Sequence, residues 1–244
     1  MIGGGTRLVG LIGKPVAGSL SPRMQNAAFA ARGLDWTYVA LEVEPDAVRD
    51  AVRGLAALGF AGANVTMPHK TAVTELCDDL DDLSRKAGAV NTLVFSDGRI
   101  SGFNTDGQAV VSAVDAAGGR ALVLGRGGAG RVVAVALERA GAKVHLAART
   151  DADWPPDPAD ATLIVNATPV RDRLLVQPSA HHQVVDLAYA AGEGPTALAA
   201  AAHAAGCATV VDGAEILVRQ GAASFRLWTG IPAPVEVMRA AVSR

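Results

Sequence analysis

The sequence is poor in the residue types that mark several large classes of protein. Of its 244 residues only 4% are aromatic and two are cysteines, and 22 lysines and arginines face 24 aspartates and glutamates without any basic cluster. A protein that grips the phosphates of a nucleic acid needs a concentrated basic surface, so nucleic acid is not an expected partner. No apolar run approaches the length of a membrane span, so no membrane partner is expected either.

The cysteines, histidines and N-terminal residues exclude further classes. Cys77 and Cys207 lie far apart and outside the spacings of metal sites and redox pairs, so we interpret both as reduced core residues. The histidines lack the paired spacing of metal ligands, and His69 is interpreted as part of the local structure, so no metal site is predicted. The first residues lack the basic and apolar segments of a secretion signal. A cytoplasmic protein is therefore expected.

Small and aliphatic residues are abundant instead. Half of the residues are hydrophobic and 27 are glycine. A core of Ala, Val and Leu against close backbone indicates helices packed on a sheet, and the length leaves room for two domains. Strand patterns alternate with helical ones along the chain, which predicts an α/β fold with parallel strands.

The first polar loop follows the strand predicted at residues 7–12. Ser19 and Ser21 are two residues apart in this loop, so their side chains share one side if the loop is extended. Ser21 is placed to cap a helix that has Pro22 at its first position. Hydroxyls beside a helix N-terminus favour an anion such as a carboxylate. The alternative is that Ser21 is only a helix cap.

The densest polar segment is NVTMPHK at residues 64–70. It follows a short run of small residues that predicts a buried strand, and Pro68 prevents further strand pairing. The polar groups therefore lie at the carboxyl end of a strand, which is where open α/β sheets bind ligands. A solvated turn between strand and helix is the alternative. Downstream, Asn91 opens another apolar strand, and residues 104–106 follow a hairpin and are interpretable alone as a helix cap.

A second domain is predicted from residue 120 onward. The glycine-rich loop at residues 125–130 follows a buried strand and precedes a helix, as a dinucleotide-binding loop must, although its GRGGAG spacing fits only loosely. Arg149 lies just past the next strand, where an arginine accommodates the 2′-phosphate of NADP. The following segment, residues 151–160, contains three prolines that forbid a normal helix, so this crossover is predicted to be short and irregular.

Taken in order, these motifs resemble those of the shikimate dehydrogenase family over nearly the whole chain. The residues that carry the resemblance are Ser19-Leu20-Ser21-Pro22, residues 64–70, Ala89-Val90-Asn91-Thr92, Asn104-Thr105-Asp106-Gly107, the loop at 125–130, Asn166-Ala167-Thr168-Pro169, Asp186 with Tyr189, and Gln220-Gly221-Ala222.

The resemblance implies an N-terminal α/β substrate-binding catalytic domain, residues 1–105 completed by residues 215–244. It implies a Rossmann-like NADP-binding domain at residues 106–214, with the active site in the cleft between the two. The implied reaction is the reversible reduction of 3-dehydroshikimate to shikimate by NADPH, on the pathway to chorismate and the aromatic amino acids. The expected partners are small molecules, and the expected state is a monomer or homodimer.

The resemblance also implies roles for individual residues. Lys70 and Asp106 would be the catalytic pair, and Ser19 and Ser21 would bind the substrate carboxylate. The other implied substrate contacts are Asn64, Thr66, Asn91, Tyr189 and Gln220. The implied cofactor contacts are Gly125, Arg126, Gly127, Gly128, Ala129, Gly130, Arg149, Thr150, Thr168, Leu187, Gly213 and Ile216.

Several positions near the cofactor loop depart from the family pattern. Arg126 replaces the usual Ala, Ala148 replaces the Asn of an Asn-Arg-Thr motif, and Ile216 stands where Met is common. Asp151 and Asp153 bring negative charge close to the expected 2′-phosphate, which Arg126 offsets if its side chain folds toward the adenosine. The sequence therefore predicts a preference for NADP that is weaker than with the full motif.

Two other functional hypotheses stay open on the sequence alone. A paralogue acting on quinate or an aminoshikimate would keep the Lys70 and Asp106 pair and differ around the substrate ring. A non-catalytic ligand-binding module would keep the cleft without turnover. Retention of both Lys70 and Asp106 argues against a binding module, because binding alone does not need this pair.

Overall fold

The computed structural model describes residues 2–189 and 194–243. The chain divides into two compact units: unit 1 is Met1–Thr105 with Val218–Arg244, and unit 2 is Asp106–Leu217. Both are built from strands and helices, as the alternating sequence pattern predicts. Among the described residues, no helix combines the length and apolar character needed to cross a bilayer.

Unit 1 contains a six-stranded mixed sheet. Its order is β2-β1-β3-β5-β6-β4, in which β1, β2 and β3 are parallel and β5 runs antiparallel to both of its neighbours. Since β5 is reversed, its first residue lies at the same edge as the last residues of β1, β3 and β6. The strands are β1 Arg7–Gly13, β2 Trp36–Glu42, β3 Gly62–Val65, β4 Asp79–Leu80, β5 Thr92–Ser96 and β6 Arg99–Phe103.

The helices of unit 1 pack aliphatic and aromatic side chains on this sheet. Phe29 of α1 and Phe225 of α7 stack with ring centroids 5.4 Å apart. Val52 and Leu55 of α2 join a core cluster with Val65 and Leu93 of the strands. The helices are α1 Ser21–Ala31, α2 Val48–Ala57, α3 Asp82–Ala87, most of α7 Gly213–Thr229, and α8 Val235–Val242, with single 3₁₀ turns at Pro45–Ala47 and Ala72–Leu76.

Unit 2 contains a five-stranded parallel sheet in the order β11-β10-β9-β7-β8. Helices α4 and α5 cover one face, where Val133 and Leu137 contact Val123 and Val165 in one cluster. The strands are β7 Arg120–Leu124, β8 Lys143–Ala147, β9 Leu163–Asn166, β10 Gln183–Asp186 and β11 Thr209–Val211; the helices are α4 Asp106–Val111, α5 Gly128–Arg139 and α6 Ala197–Ala204.

The crossover from β8 to β9 contains neither helix nor strand, as its prolines predict. The strand order is that of a dinucleotide-binding domain with one strand missing. The missing strand is the third of that fold, which would lie outside β8 at the edge of the sheet. Trp154 from this crossover packs beside Ala147 and Ile164, on the face that Leu198 of α6 also covers. A single large side chain thus occupies part of the surface that a crossover helix would cover.

Three helix boundaries differ from the sequence-based expectation. Helix α1 begins at Ser21 itself, with Leu20 as the capping residue, so the interpretation of Ser21 as the N-cap is wrong by one position. The sequence pattern predicts the helix after the glycine loop at residues 132–140, whereas α5 begins at Gly128, inside the loop. The sequence pattern predicts a helix over residues 108–117, whereas α4 ends at Val111, and the backbone N–H of Asp115 instead binds the side chain of Gln183, 2.9 Å away.

Two glycines of unit 1 provide a matched test of how closely β3 packs against β5 and α7. A Cβ atom on Gly62 would lie 2.2 Å from the Leu93 carbonyl oxygen and 2.4 Å from Trp228 Nε1, whereas one on Gly54 of α2 would meet nothing within 4 Å. We expect Gly62→Ala to lower the free energy of unfolding by about 1–3 kcal/mol through overpacking. Gly54→Ala should raise it by about 0.5–1 kcal/mol. Urea denaturation measures both, and equal stability of the two variants would contradict this packing.

Candidate active site

Three backbone hydrogen bonds fix the polar segment at residues 64–70 beside its neighbours in unit 1. Thr66 N donates to Ile12 O (2.9 Å), Lys14 N donates to Met67 O (2.9 Å), and Val90 N donates to Lys70 O (2.8 Å). The segment is therefore held between the loop after β1 and the residues that lead into β5. Its polar groups lie at the carboxyl end of β3, as predicted.

His69 and Lys70 have different surroundings within this segment. His69 is buried, and its Nε2 lies 2.8 Å from the carbonyl oxygen of Val43, which confirms its interpretation as local structure. The Lys70 side chain is only partly buried. The Lys70 carbonyl also accepts from the Thr74 hydroxyl (3.3 Å), so the backbone that carries the ammonium group is held on both sides.

Asn64 is the centre of a buried hydrogen-bond network. Its Oδ1 accepts from the Tyr38 hydroxyl (2.8 Å), and its Nδ2 lies 3.1 Å from each of three acceptors: Asn91 O, Thr92 Oγ1 and Ser224 Oγ. Both ends of the amide are thus bonded within unit 1. Asn64 connects β2, β3 and β5 with α7.

Asn91 begins a second part of the same network. Its Oδ1 accepts from the backbone N–H of Thr105 (2.9 Å), and its Nδ2 donates to Thr105 Oγ1 (3.0 Å). A longer contact of 3.4 Å joins Asn91 Nδ2 to Gln220 Oε1. Asn91 and Gln220, which are distant in sequence, therefore meet at one edge of the sheet. Both side chains are buried, with 2% and 9% of their surface exposed.

The loop after β1 supplies the two serines. Ser19 Oγ accepts from the backbone N–H of Ser21 (3.2 Å), so it is Ser19 that satisfies an amide at the start of α1. Ser21 is buried and Ser19 is partly buried. Helix α1 is tied to α7 through Gln25 Nε2, which donates to Gly221 O (2.9 Å). The serine loop is thus anchored to the helix that carries Gln220.

Sequence reasoning missed the residues that support this edge. Tyr38, Thr92 and Ser224 all bond to Asn64, and the Ser224 hydroxyl also donates to Gln220 O (3.1 Å). One signal was available, because Ser224 lies four residues after Gln220 and therefore on the same face of α7. Nothing comparable in the sequence points to Tyr38.

Asp106 and Tyr189 belong to unit 2. Asp106 is the first residue of α4, is buried, and directly follows Thr105 of the Asn91 network. Tyr189 is partly buried and lies three residues after the end of β10.

The glycine loop of unit 2 lies where the direction of strand addition reverses. The chain leaves β7 for β8 on one side and returns to β9 on the other, and ligands of doubly wound sheets bind at such a point. Gly125 has φ +105°, and its Cβ would lie 2.9 Å from Thr168 Cγ2. A Cβ on Gly130 would lie 1.7 Å from Gly125 O, so α5 can start this close to β7 only without a side chain there. Gly127 has open space instead.

Asn166 and Asp186, at the ends of β9 and β10, hold the neighbouring loops. Asn166 Oδ1 accepts from the backbone N–H (3.0 Å) and the hydroxyl (2.7 Å) of Thr168, and Asn166 Nδ2 donates to Asp186 Oδ1 (2.9 Å). Asp186 also accepts from the Thr196 hydroxyl (2.6 Å). Burial raises the pKa of the Asp186 carboxyl, although its hydrogen bonds oppose this shift. The pair positions Thr168 beside the glycine loop.

The remaining cofactor candidates lie at different depths in unit 2. Arg149 and Thr150 are exposed after β8, and Leu187 is partly buried after β10. A Cβ on Gly213 would lie 2.6 Å from Ala188 O, so this glycine allows close approach of α7. Ile216 is only 4% exposed and belongs to the core cluster on the α5 face.

No metal-binding group emerges from the part of the chain that the structure describes. Within residues 2–189 and 194–243, no three His, Cys, Asp or Glu side chains could share an ion. Cys77 and Cys207 are free and partly buried. The Cys77 thiol donates to Val73 O, and burial raises its pKa to about 12, so it remains a neutral thiol.

Comparison with known proteins gives a consistent family. Residues 11–93 match the shikimate dehydrogenase substrate binding domain, and residues 213–242 match the shikimate 5′-dehydrogenase C-terminal domain. The NADP(+) shikimate dehydrogenase of Methanopyrus kandleri is 43% identical over 97% of this chain and 95% of its own length. That alignment runs to 278 residues, so the relative carries segments that these 244 residues lack.

Solved structures agree over the whole chain. A shikimate dehydrogenase in complex with NADP⁺ is 32% identical, with a TM-score of 0.92 over 100% of this chain and 96% of the other. The shikimate 5-dehydrogenase of Thermus thermophilus, in complex with NADP(H) and shikimate, is 34% identical, with a TM-score of 0.88 over 98% of this chain and 99% of the other. The chain therefore belongs to the shikimate dehydrogenase family.

Proposed function

We propose that this chain is an enzyme that reversibly reduces 3-dehydroshikimate to shikimate with NADPH, on the pathway to chorismate and the aromatic amino acids. The observation that carries the proposal is the gathering of Lys70, Asn91 and Gln220 at one sheet edge of unit 1, in a chain whose full length matches NADP-dependent shikimate dehydrogenases. Unit 1 would bind the substrate, and unit 2 would bind the cofactor.

The substrate carries a carboxylate, a ketone and two hydroxyls. We assign the carboxylate to Ser19 and Ser21, beside the N-terminus of α1, where the helix end favours negative charge. Thr66, Asn91 and Gln220 supply hydrogen-bonding groups for the ring oxygens, and Tyr189 completes the set. Asn64 is the further proposed contact for the ring oxygens, and its internal bonds to Tyr38 and Asn91 would also support the neighbouring residues.

Lys70 is the proposed acid of the reaction. When the ketone is reduced, its oxygen becomes an alkoxide, which a positioned ammonium group can stabilise and protonate. The backbone of Lys70 is held by Val90 and Thr74, so the ammonium group starts from a fixed point. Asp106, which the family resemblance pairs with Lys70, would hold the ammonium group in place.

NADPH would be held by unit 2 at the glycine loop, where the direction of strand addition reverses, and would supply the hydride. The residues present fit this cofactor. The glycine loop leads directly into the N-terminus of α5, the space beside Gly127 contains no atom within 4 Å of a Cβ position, and Thr168 is fixed beside the loop. Arg149 is exposed in the turn after β8, which leaves its guanidinium accessible to a 2′-phosphate.

The location and assembly are also proposed. Free, partly buried thiols fit a reducing compartment, so we propose that the protein is cytoplasmic. We propose that it acts as a monomer or homodimer with small molecules as its partners.

Steady-state assays with shikimate and quinate, each with NADP⁺ and NAD⁺, test the function directly. We expect the highest kcat/KM with shikimate and NADP⁺. Faster turnover of quinate would reassign the substrate. Binding of shikimate without turnover under any cofactor would make the protein a ligand-binding module and contradict the proposal.

Lys70→Ala should abolish most turnover while leaving shikimate binding nearly unchanged. The loss of charge stabilisation in the transition state should lower kcat about 10²- to 10³-fold. Lys86→Ala is the matched control, because Lys86 is exposed and its ammonium lies 3.7 Å from Asp82 on α3. If Lys70→Ala retains more than about a third of the wild-type kcat, the role assigned to Lys70 is wrong, since removal of such a group costs far more.

Ser19→Ala and Ser21→Ala should raise the KM for shikimate more than they lower kcat. A carboxylate remote from the reacting carbon is bound alike in the ground and transition states. Each hydrogen bond to a charged group contributes roughly 1.5–3 kcal/mol, or about 10- to 150-fold in affinity. An unchanged KM in both variants would place the carboxylate elsewhere.

Arg149→Ala should reduce the preference for NADP⁺ over NAD⁺. A charge-assisted contact to the 2′-phosphate is worth about 10- to 150-fold, and the neighbouring aspartates should make the effect smaller. The measurement is kcat/KM for both cofactors in wild type and variant. A wild type that uses both equally, or a ratio untouched by the substitution, would contradict the role of Arg149.

A further inference from the structure

The segment after β8 is a tight turn that presents Arg149. The backbone N–H of Asp151 donates to Ala148 O (2.9 Å), which closes a four-residue turn with Arg149 and Thr150 at its tip. Both tip residues are exposed, and the turn follows directly from the last residue of β8. The position of the Arg149 side chain therefore depends on what holds residues 148 and 151.

The Asp151 carboxylate is held from two directions. Arg126 of the glycine loop binds it with two parallel bonds, Nη1 to Oδ1 (2.9 Å) and Nη2 to Oδ2 (2.7 Å). The backbone N–H of Ala148 donates to Oδ2 (2.8 Å). Arg126 Nη2 also donates to Leu146 O (3.0 Å). The hydrogen bond from Ala148 and the pairing with Arg126 lower the pKa of Asp151.

An acidic group at this place in a dinucleotide fold has a defined effect. A carboxylate after the second strand accepts a hydrogen bond from the ribose 2′-hydroxyl of NAD, and it repels a 2′-phosphate. Asp151 is such a carboxylate by position, two residues after Arg149. With Arg126 paired to it, its charge is balanced, and its oxygens are already bonded.

Arg126 supplies the glycine-loop side of this contact. Its guanidinium is bonded to Asp151 and to Leu146 O, which directs it to the turn after β8. Planar, bidentate pairing of this kind is a property of arginine that lysine does not share. The pair therefore connects the loop after β7 to the turn that carries Arg149.

We propose that the Arg126–Asp151 pair determines the preference for NADP: Arg126 balances Asp151 and keeps it from repelling the 2′-phosphate or accepting from the 2′-hydroxyl of NAD. Arg126 is thus a positioning residue that acts through Asp151 on the site of Arg149. This inference rests on the proposed use of NADP. It concerns a contact within unit 2 alone.

The test compares two ligands that differ only in the 2′-phosphate. Isothermal titration calorimetry at low ionic strength gives the Kd of adenosine 2′,5′-bisphosphate and of adenosine 5′-monophosphate, and their ratio is the discrimination. It is measured for wild type, Arg126→Ala, Asp151→Asn and the double variant. Arg120→Ala is the control, because Arg120 is the first residue of β7, at the end of the strand that lies away from the glycine loop. Its exposed guanidinium lies 3.6 Å from Asp160.

We expect Arg126→Ala to lose discrimination and the added Asp151→Asn substitution to restore it. Arg126→Ala should lower the discrimination about threefold or more, because an exposed charge is left unbalanced. Asp151→Asn should keep or raise the discrimination, and the double variant should return to within about twofold of wild type, since the repelling charge is gone. Raising the salt concentration should diminish the loss in Arg126→Ala.

Three results would overturn the inference. Equal weakening of both ligands in Arg126→Ala would make Arg126 a contact of the shared 5′-phosphate. A loss of discrimination that Asp151→Asn fails to reverse would make Arg126 a direct ligand of the 2′-phosphate. A wild type that does not discriminate between the two ligands would overturn both the inference and the proposed use of NADP. If the wild type discriminates but the double variant does not regain discrimination, only the inference is overturned.

Discussion

The buried amide of Asn64 connects the elements that assemble the polar edge of unit 1. It bonds to Tyr38 of β2, to Thr92 of β5 and to Ser224 of α7 while lying in β3 itself. A buried amide without partners costs several kcal/mol, roughly 1–3 kcal/mol for each unmet group in proteins, so the network is stable only when complete. The requirement to satisfy one side chain thus aligns three strands and a helix, and Asn91 and Gln220 meet as a result.

Unit 2 depends on close approach of backbone together with the buried amide of Asn166. Gly130 permits α5 to begin against the carbonyl of Gly125, and Asn166 with Asp186 fixes the loops that follow β9 and β10. Both units thus combine buried polar side chains with close backbone contacts, since Gly62 of unit 1 also leaves no room for a side chain.

Much of this could be predicted because local chemistry determines it. The Asp97-Gly98 hairpin, the glycine loop and the helix-free crossover all follow from residues with restricted or unusual backbone preferences. The internal hydrogen bonds of Asn64 could not be predicted, since an amide at a strand end is chemically suited to ligand binding and to internal bonding alike. The sequence indicated that Arg126 could offset the charge of Asp151, but not their bidentate pairing, because the two residues are 25 positions apart and meet only through the register of β7 and β8.

The shortened crossover also leaves β8 as the outermost strand of its sheet. Gly125 N bonds to Ala147 O, so alternation along a parallel strand directs the Leu146 carbonyl outward, where a foreign strand could pair with it. Arg126 already binds that carbonyl, and the exposed side chains of Lys143 and His145 flank the same strand. The outermost strand of this sheet thus carries a charged residue on its outward carbonyl, and charges at an edge disfavour edge-to-edge pairing of sheets.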